Sequence, residues 1–121
     1  QSGTGVIATA TVVLRDSSGE ERMDAATGDG PIDALYSAIQ RITGVSISLD
    51  EYATRAITGG KDAQGEVHVQ VNHHGKRVRG RGLSTDVIEA AGLAYLSAIN
   101  RIKTMDSKTV KATTLEGEDG P

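Results

Sequence analysis

An eight-residue stretch, Leu35-Tyr36-Ser37-Ala38-Ile39-Gln40-Arg41-Ile42, returns 60 residues later as Tyr95-Leu96-Ser97-Ala98-Ile99-Asn100-Arg101-Ile102. In a chain of 121 residues, a repeat at that spacing leaves room for two related units around one core. The surroundings echo too. A Gly-x-Gly step precedes each copy, Gly28-Asp29-Gly30 in the first and Gly80-Arg81-Gly82 in the second, and strand-like alternation precedes each step. Each unit therefore reads as strands followed by a helix.

The helices have the clearer period. Ile32, Leu35, Ile39 and Ile42 step by 3, 4 and 3, which is one face of an α-helix. Pro31 suits the first helical position, where its missing N–H costs nothing, and Gly44 suits the stop. The second stripe is Ile88, Ala91, Tyr95, Ile99 and Ile102, with Ser84 or Thr85 as the expected cap and Asp86 and Glu89 at the positive dipole end. Gly92 inside this helix predicts a neighbour packed closely against it.

Val6, Ala8, Ala10, Val12 and Leu14 alternate as a strand, Asp16-Ser17-Ser18-Gly19 turns the chain, and residues 20–27 return. Val45, Ile47 and Leu49 open another strand reaching Thr58, and a parity shift near Asp50 and Glu51 predicts a bulge. Residues 59–65 read as a loop, Val67, Val69 and Val71 as a strand, His73-His74-Gly75-Lys76 as a turn, and Val78, Gly80 and Gly82 as one face of the return strand. The predicted fold is α+β, two pseudosymmetric β-β-β-α units in the order β-β-α-β-β-β-α, with unit 1 over about 1–44 and unit 2 over 45–105. Unit 1 is one strand short, so the repeat predicts a first strand before Gln1 and a longer parent protein. Residues 106–121 show no period and are expected to form a flexible tail.

Phe and Trp are absent and Tyr occurs three times, so the core must be aliphatic. With no cysteine there is no disulfide scaffold, thiolate metal site or cysteine nucleophile. The net charge of −3 weighs against a dedicated nucleic-acid binder. No apolar run approaches the roughly 20 residues of a membrane span, and no signal-peptide pattern opens the chain, so a cytoplasmic module without membrane contact is expected.

Gly28-Asp29-Gly30-Pro31 is the sharpest local signal. Two glycines let a ligand approach the backbone, and the unpaired N–H groups of the following helix turn suit a carboxylate or phosphate. Asp29 and Asp33 suit an ammonium and repel a phosphate. Read from the residues alone, a plain strand-to-helix turn competes with this binding reading and stands ahead of it. His68 lies on a polar strand face and His73 and His74 are neighbours in a turn, so solvated residues are expected there and no metal site. Arg77, Arg79 and Arg81 form a basic stripe without an aromatic platform, which fits a solvated face paired with neighbouring acids better than a nucleic-acid surface. No catalytic constellation is present.

Three segments in order, Ala-Thr-Gly-Asp-Gly-Pro-Ile-Asp-Ala-Leu (26–35), Gly-Lys-Asp-Ala-Gln-Gly-Glu-Val (60–67) and Gly-Arg-Gly-Leu-Ser-Thr-Asp-Val-Ile-Glu-Ala (80–90), together with Ala-Tyr-Leu-Ser-Ala-Ile-Asn-Arg (94–101), resemble the C-terminal regulatory domain of the 2-isopropylmalate synthase family. The resemblance implies residues 1–105 as an amino-acid-binding regulatory domain, non-catalytic itself, that pairs as a homodimer and feeds back on a catalytic barrel elsewhere in the parent acyltransferase. It implies leucine as effector, or isoleucine if the parent is the closely similar citramalate synthase. It implies no cofactor in this chain, and a divalent metal in the parent's barrel. Carried over by motif, the effector site is Gly28, Asp29, Gly30, Pro31, Ile32, Asp33 and Ala34, with Ser48 on the next strand. The competing reading is a free-standing binding module that uses Arg77, Arg79 and Arg81.

Overall fold

A computed structural model describes residues 7–57 and 64–118, and the side-chain surroundings to residue 105. The elements are β1 (Ala8–Arg15), β2 (Glu21–Gly28), α1 (Pro31–Thr43), β3 (Ser48–Ile57), β4 (Gln64–His73), β5 (Lys76–Ser84) and α2 (Val87–Glu118). This is the predicted order. The strand expected before Gln1, the start at Val6, the end at Thr58 and the connection 59–63 lie outside the described residues.

Two antiparallel sheets form, β1-β2 and β3-β4-β5. α1 packs on β1 and β2, α2 packs on β4 and β5, and the helices touch each other, so they form the inner layers between the sheets. Local chemistry sets each corner. In the first hairpin, Asp16 Oδ1 accepts from the N–H groups of Ser18 and Glu20, each at 3.0 Å, and from the Ser18 hydroxyl at 2.6 Å. In the second, His74 and Gly75 have φ of 53° and 85°, the left-handed pair that a two-residue hairpin turn requires. Gly44 ends α1 with φ 71°, its N–H reaching the Gln40 carbonyl. The predicted bulge is present, a register shift between Leu49 and Glu51. β3 begins at Ser48 instead of Val45, and β4 begins at Gln64, inside the expected loop.

The core is aliphatic apart from one aromatic pair. Tyr36 of α1 and Tyr95 of α2 stack with ring centroids 3.8 Å apart and planes 8° from parallel, and the Tyr36 hydroxyl donates to the Ala91 carbonyl at 2.8 Å. At that separation the rings lie nearly face to face, closer than the roughly 4.5–7 Å of favoured pairs, so what they contribute comes mainly from the area they bury. Burial raises both phenols, Tyr95 to about 12.

α2 is buried on two faces, which a single stripe does not describe. Ala91, Tyr95, Ile99 and Ile102 are buried as predicted, but Ile88 is 39% exposed. A second buried row, Ala90, Ala94 and Ala98, meets the glycines of β5. A Cβ on Gly80 would lie 2.8 Å from Ala98 N and closer still to the Ala94 carbonyl; one on Gly82 would lie 2.6 Å from Ala94 N and closer still to the Ala90 carbonyl. Val78, Gly80 and Gly82 thus share one face of β5, as expected, and the echo of Gly28-Asp29-Gly30 falls on strand here, not on a strand-to-helix turn. These glycines remove side chains so that helix backbone can rest on sheet backbone. The cap differs as well: Asp86, not Ser84 or Thr85, accepts the Ile88 N–H, at 2.9 Å.

Gly92 faces the Leu35 methyl groups at 3.6–3.8 Å, ordinary contact with space for a methyl. Close packing does not explain it. Gly92→Ala is expected to stabilise the chain by about 0.5–1 kcal/mol, seen as a melting temperature raised by a few degrees.

The backbone of α2 is helical to Glu118. A helical backbone says nothing of how far a segment moves, so the flexible tail over 106–121 and the boundary at 105 remain expectations.

Candidate functional site

The turn between β2 and α1 is built by one carboxylate. Gly30 caps the helix without a side chain, and the first helical bond runs from Ala34 N–H to the Gly30 carbonyl at 2.9 Å. Pro31 has no N–H, and the N–H groups of Ile32 and Asp33 precede that bond and have no acceptor within the helix. Asp33, in the first turn, reaches back and accepts the Asp29 N–H through Oδ2 at 2.9 Å. Half of its carboxylate thus closes the loop. Gly28 is held by this closure: a Cβ there would lie 2.5 Å from Ala34 N and 2.6 Å from Asp33 Oδ2. A Cβ on Gly30 would meet nothing within 4 Å, and φ of −155° is extended backbone open to any residue. The second glycine leaves open space over the helix N-terminus.

The loop residues Gly28, Asp29, Gly30, Pro31, Ile32, Asp33 and Ala34 thus form one continuous surface feature, with Ala34 buried beneath it. Ser48 is not brought to them. It pairs with Asn72 across the sheet, whereas Leu49 pairs with Val71 and Tyr52 with Val69, two valines buried under α2. Ser48 begins β3 after α1 has ended, and no residue of α1 comes within 8 Å of β3, Cα to Cα. The α1 helix spans 13 residues, about 20 Å, so Ser48 and the loop lie at opposite ends of it. On β3 the large apolar residues turned to the helix layer are Leu49 and Tyr52, 40% and 36% exposed because α2 stops short of this strand. The Tyr52 phenol lies near enough to Tyr36 to help raise it. The sequence signal for Tyr52 was available: it is one of three aromatic residues in the chain.

The arginine stripe lies on the outer face of β5 and is partly neutralised. Glu66 on β4, its side chain 5% exposed, is ion-paired with Arg81 and with Arg55 Nε at 3.4 Å, and lies 3.3 Å from His68 Nε2. This carboxylate ties three strands together. The hydrogen bond from Arg81 holds it below its ordinary value of 4.5, with burial opposing and His68 assisting. Because the folded value is depressed, the stabilisation is complete above the unfolded value and is lost as pH falls through the folded one. The melting temperature should therefore drop as pH is lowered below about 4.5, and less steeply in Glu66→Gln.

The hairpin turn brings the His73 and His74 rings to 4.2 Å, closer than alternation along a strand suggested. His73 Nδ1 lies 3.1 Å from the Ser46 carbonyl. Among the described residues no three of His, Asp or Glu are grouped to hold a metal ion, and no helix is long and apolar enough to cross a membrane.

With this geometry in place, comparison with known proteins is direct. Residues 1–103 match the model of the LeuA allosteric (dimerisation) domain. The chain is 52% identical over 102 residues to a 2-isopropylmalate synthase of Carboxydothermus hydrogenoformans, covering 84% of this chain and 20% of that protein. It is 41% identical over 118 residues to one of Psychromonas ingrahamii, covering 98% of this chain and 22% of that protein. It is 48% identical over 103 residues to one of Salmonella paratyphi A, covering 84% and 19%. The chain thus spans about a fifth of the length of these relatives. The matched residues take in both units, the Gly28–Ala34 turn, β3 and the helical repeat. The chain belongs to the LeuA allosteric (dimerisation) domain family.

Proposed function

We propose that this chain is the leucine-binding, feedback-inhibition and dimerisation domain of a 2-isopropylmalate synthase, whose catalytic barrel, with its divalent metal, condenses acetyl-CoA with 2-oxoisovalerate. One observation carries the reading: the family match covers a turn whose second glycine opens the N-terminus of α1 to solvent beside two carboxylates. The effector's carboxylate meets the N–H groups of Ile32 and Asp33, where the helix dipole favours it. Its ammonium takes the Asp29 carboxylate or the Asp33 oxygen left free by the loop. Both charges then have partners, without which burying either is costly. The aliphatic side chain needs an apolar wall. Leu49 and Tyr52 of the facing copy offer one, left uncovered within each chain and brought to the turn when two copies pair. Ser48, on the other face, contributes only across such a dimer. Coupling to the barrel requires the paired domains to have two arrangements that differ in leucine affinity. Pairing of Arg81 with Glu66 weighs against the arginine stripe as an alternative binding surface.

Leucine should stabilise the chain by linkage, by about 2.7 kcal/mol at a hundredfold excess over Kd, seen as a raised melting temperature. Isoleucine acting in its place would assign the parent to citramalate synthase. Gly30→Val fills the open space without touching the fold, so leucine affinity should fall about tenfold or more while the unliganded melting temperature is kept. Unchanged affinity in calorimetry would remove this turn from the site.

A further inference from the structure

At the end of α1 away from the Gly28–Ala34 turn, the tip of the β1–β2 hairpin, the last turn of α1 and the middle of α2 enclose a cleft of about 380 Å³. That volume is within the range of small-molecule sites, about 300–1,000 Å³. Its floor is aliphatic: Ile99 is buried, and Leu14, Ile42 and Leu96 are partly buried against the core.

The rim is cationic in a chain whose net charge is −3. Arg15 is committed to Glu21 at 2.8 Å, and Asp16 Oδ1 is tied into its own turn by three hydrogen bonds. That leaves Lys103, and Arg22, whose charge is near enough to Asp16 to help lower that carboxyl; neither makes an ion pair within 4 Å among the described residues. The last four carbonyls of α1 disfavour an anion here, and one of them, that of Gln40, already has a donor. The Thr43 hydroxyl donates to the Ile39 carbonyl at 2.9 Å, and the Gly44 N–H donates to that of Gln40 at 2.8 Å.

We propose that this cleft is a second ligand site, distinct from the turn at Gly28–Ala34, that takes a small anion with an aliphatic body. The anionic head sits between Arg22 and Lys103 and the body lies on Leu14, Ile42 and Leu96. The chemistry differs from that of the first site. Three lining cations, Arg15, Arg22 and Lys103, outnumber the one lining carboxylate, Asp16, so the rim favours an anion over a zwitterion. An aliphatic floor selects against a bare inorganic ion, which would leave it wet.

The test is an amide-resolved NMR titration of the whole 121-residue chain with hexanoate, hexyl phosphate, hexylammonium and inorganic phosphate. Hexanoate, hexyl phosphate or both should shift, saturably, the amides of 14–22, 42–44 and 96–103 and leave those of 28–34 in place. The arm that binds identifies the head group as carboxylate or phosphate. Hexylammonium and inorganic phosphate should leave the cleft amides unmoved. In Lys103→Glu, with an otherwise native spectrum, affinity should fall about tenfold. The proposal is overturned if neither hexyl anion shifts the cleft, if hexylammonium shifts it equally, if inorganic phosphate alone saturates it, or if Lys103→Glu binds as well as the parent chain.

Discussion

Replacing Gly80 with alanine is expected to destabilise the chain by about 3 kcal/mol or more, the largest effect among the described glycines. The added Cβ would lie 2.8 Å from Ala98 N and closer to the Ala94 carbonyl, both backbone atoms of α2. A flexible side chain could swing away from such a methyl, but a helix backbone cannot. α2 must lift off β5, and Ala90, Ala94, Ala98 and the valines of β4 beneath it lose contact together. Gly82→Ala should act alike, since its Cβ meets Ala94 N at 2.6 Å. Gly65→Ala is the control: it lies in the same sheet, but its Cβ would sit 3.7 Å from the Ser84 carbonyl, ordinary contact. Urea denaturation should separate the three, with midpoints of the first two far below that of Gly65→Ala. Equal midpoints would show that α2 does not sit on β5 as described.

The second large effect is functional. Gly28→Ala places a methyl 2.6 Å from Asp33 Oδ2 and 2.5 Å from Ala34 N. Asp33 must then release the Asp29 N–H, and the turn opens at its closing hydrogen bond. A stability loss of about 1–3 kcal/mol is expected, confined to unit 1. On the proposed function, leucine affinity falls about thirtyfold, equivalent to ~2 kcal/mol, and feedback inhibition of the parent synthase is relieved while its uninhibited turnover is retained. Comparison with Gly30→Val separates two causes. One variant deforms the loop, the other only occupies its open side. If Gly28→Ala kept wild-type leucine affinity, closure of the loop by Asp33 would not matter for binding.

Much of this architecture could be read from residue order, because the punctuation is local. Pro31 and Gly44 bound α1 through properties of single residues, and His74-Gly75 specifies its turn through the backbone angles those residues tolerate. The bulge near Asp50 is visible as a change of apolar parity along one strand. What was not legible depends on a partner distant in sequence. Gly80 and Gly82 were legible as strand residues, but why they are glycines was hidden by their likeness to Gly28 and Gly30 and shows only with the helix that lies on them. Ser84, Thr85 and Asp86 can each cap a helix, and only the geometry of the Ile88 N–H selects Asp86. The turn at Gly28–Ala34 was legible as a motif, but its closure by Asp33 was not. The face on which Ser48 lies follows from the bulge beside it and the pairing of β3 with β4, and neither is set by Ser48 itself.

The paired rings of Tyr36 and Tyr95 make the junction between the two units its own spectroscopic reporter. The chain has no tryptophan, and its third tyrosine, Tyr52, stands on the strand beside that junction. Near-ultraviolet dichroism and intrinsic emission therefore come from three tyrosines, two of them stacked where α1 meets α2. Stacked rings 3.8 Å apart couple strongly, and small changes in their separation or tilt alter both signals. A ligand that slides one helix along the other is thus visible without a label. One that binds away from Tyr52 and leaves the junction still is optically silent, and that contrast distinguishes a domain that rearranges from one that merely fills.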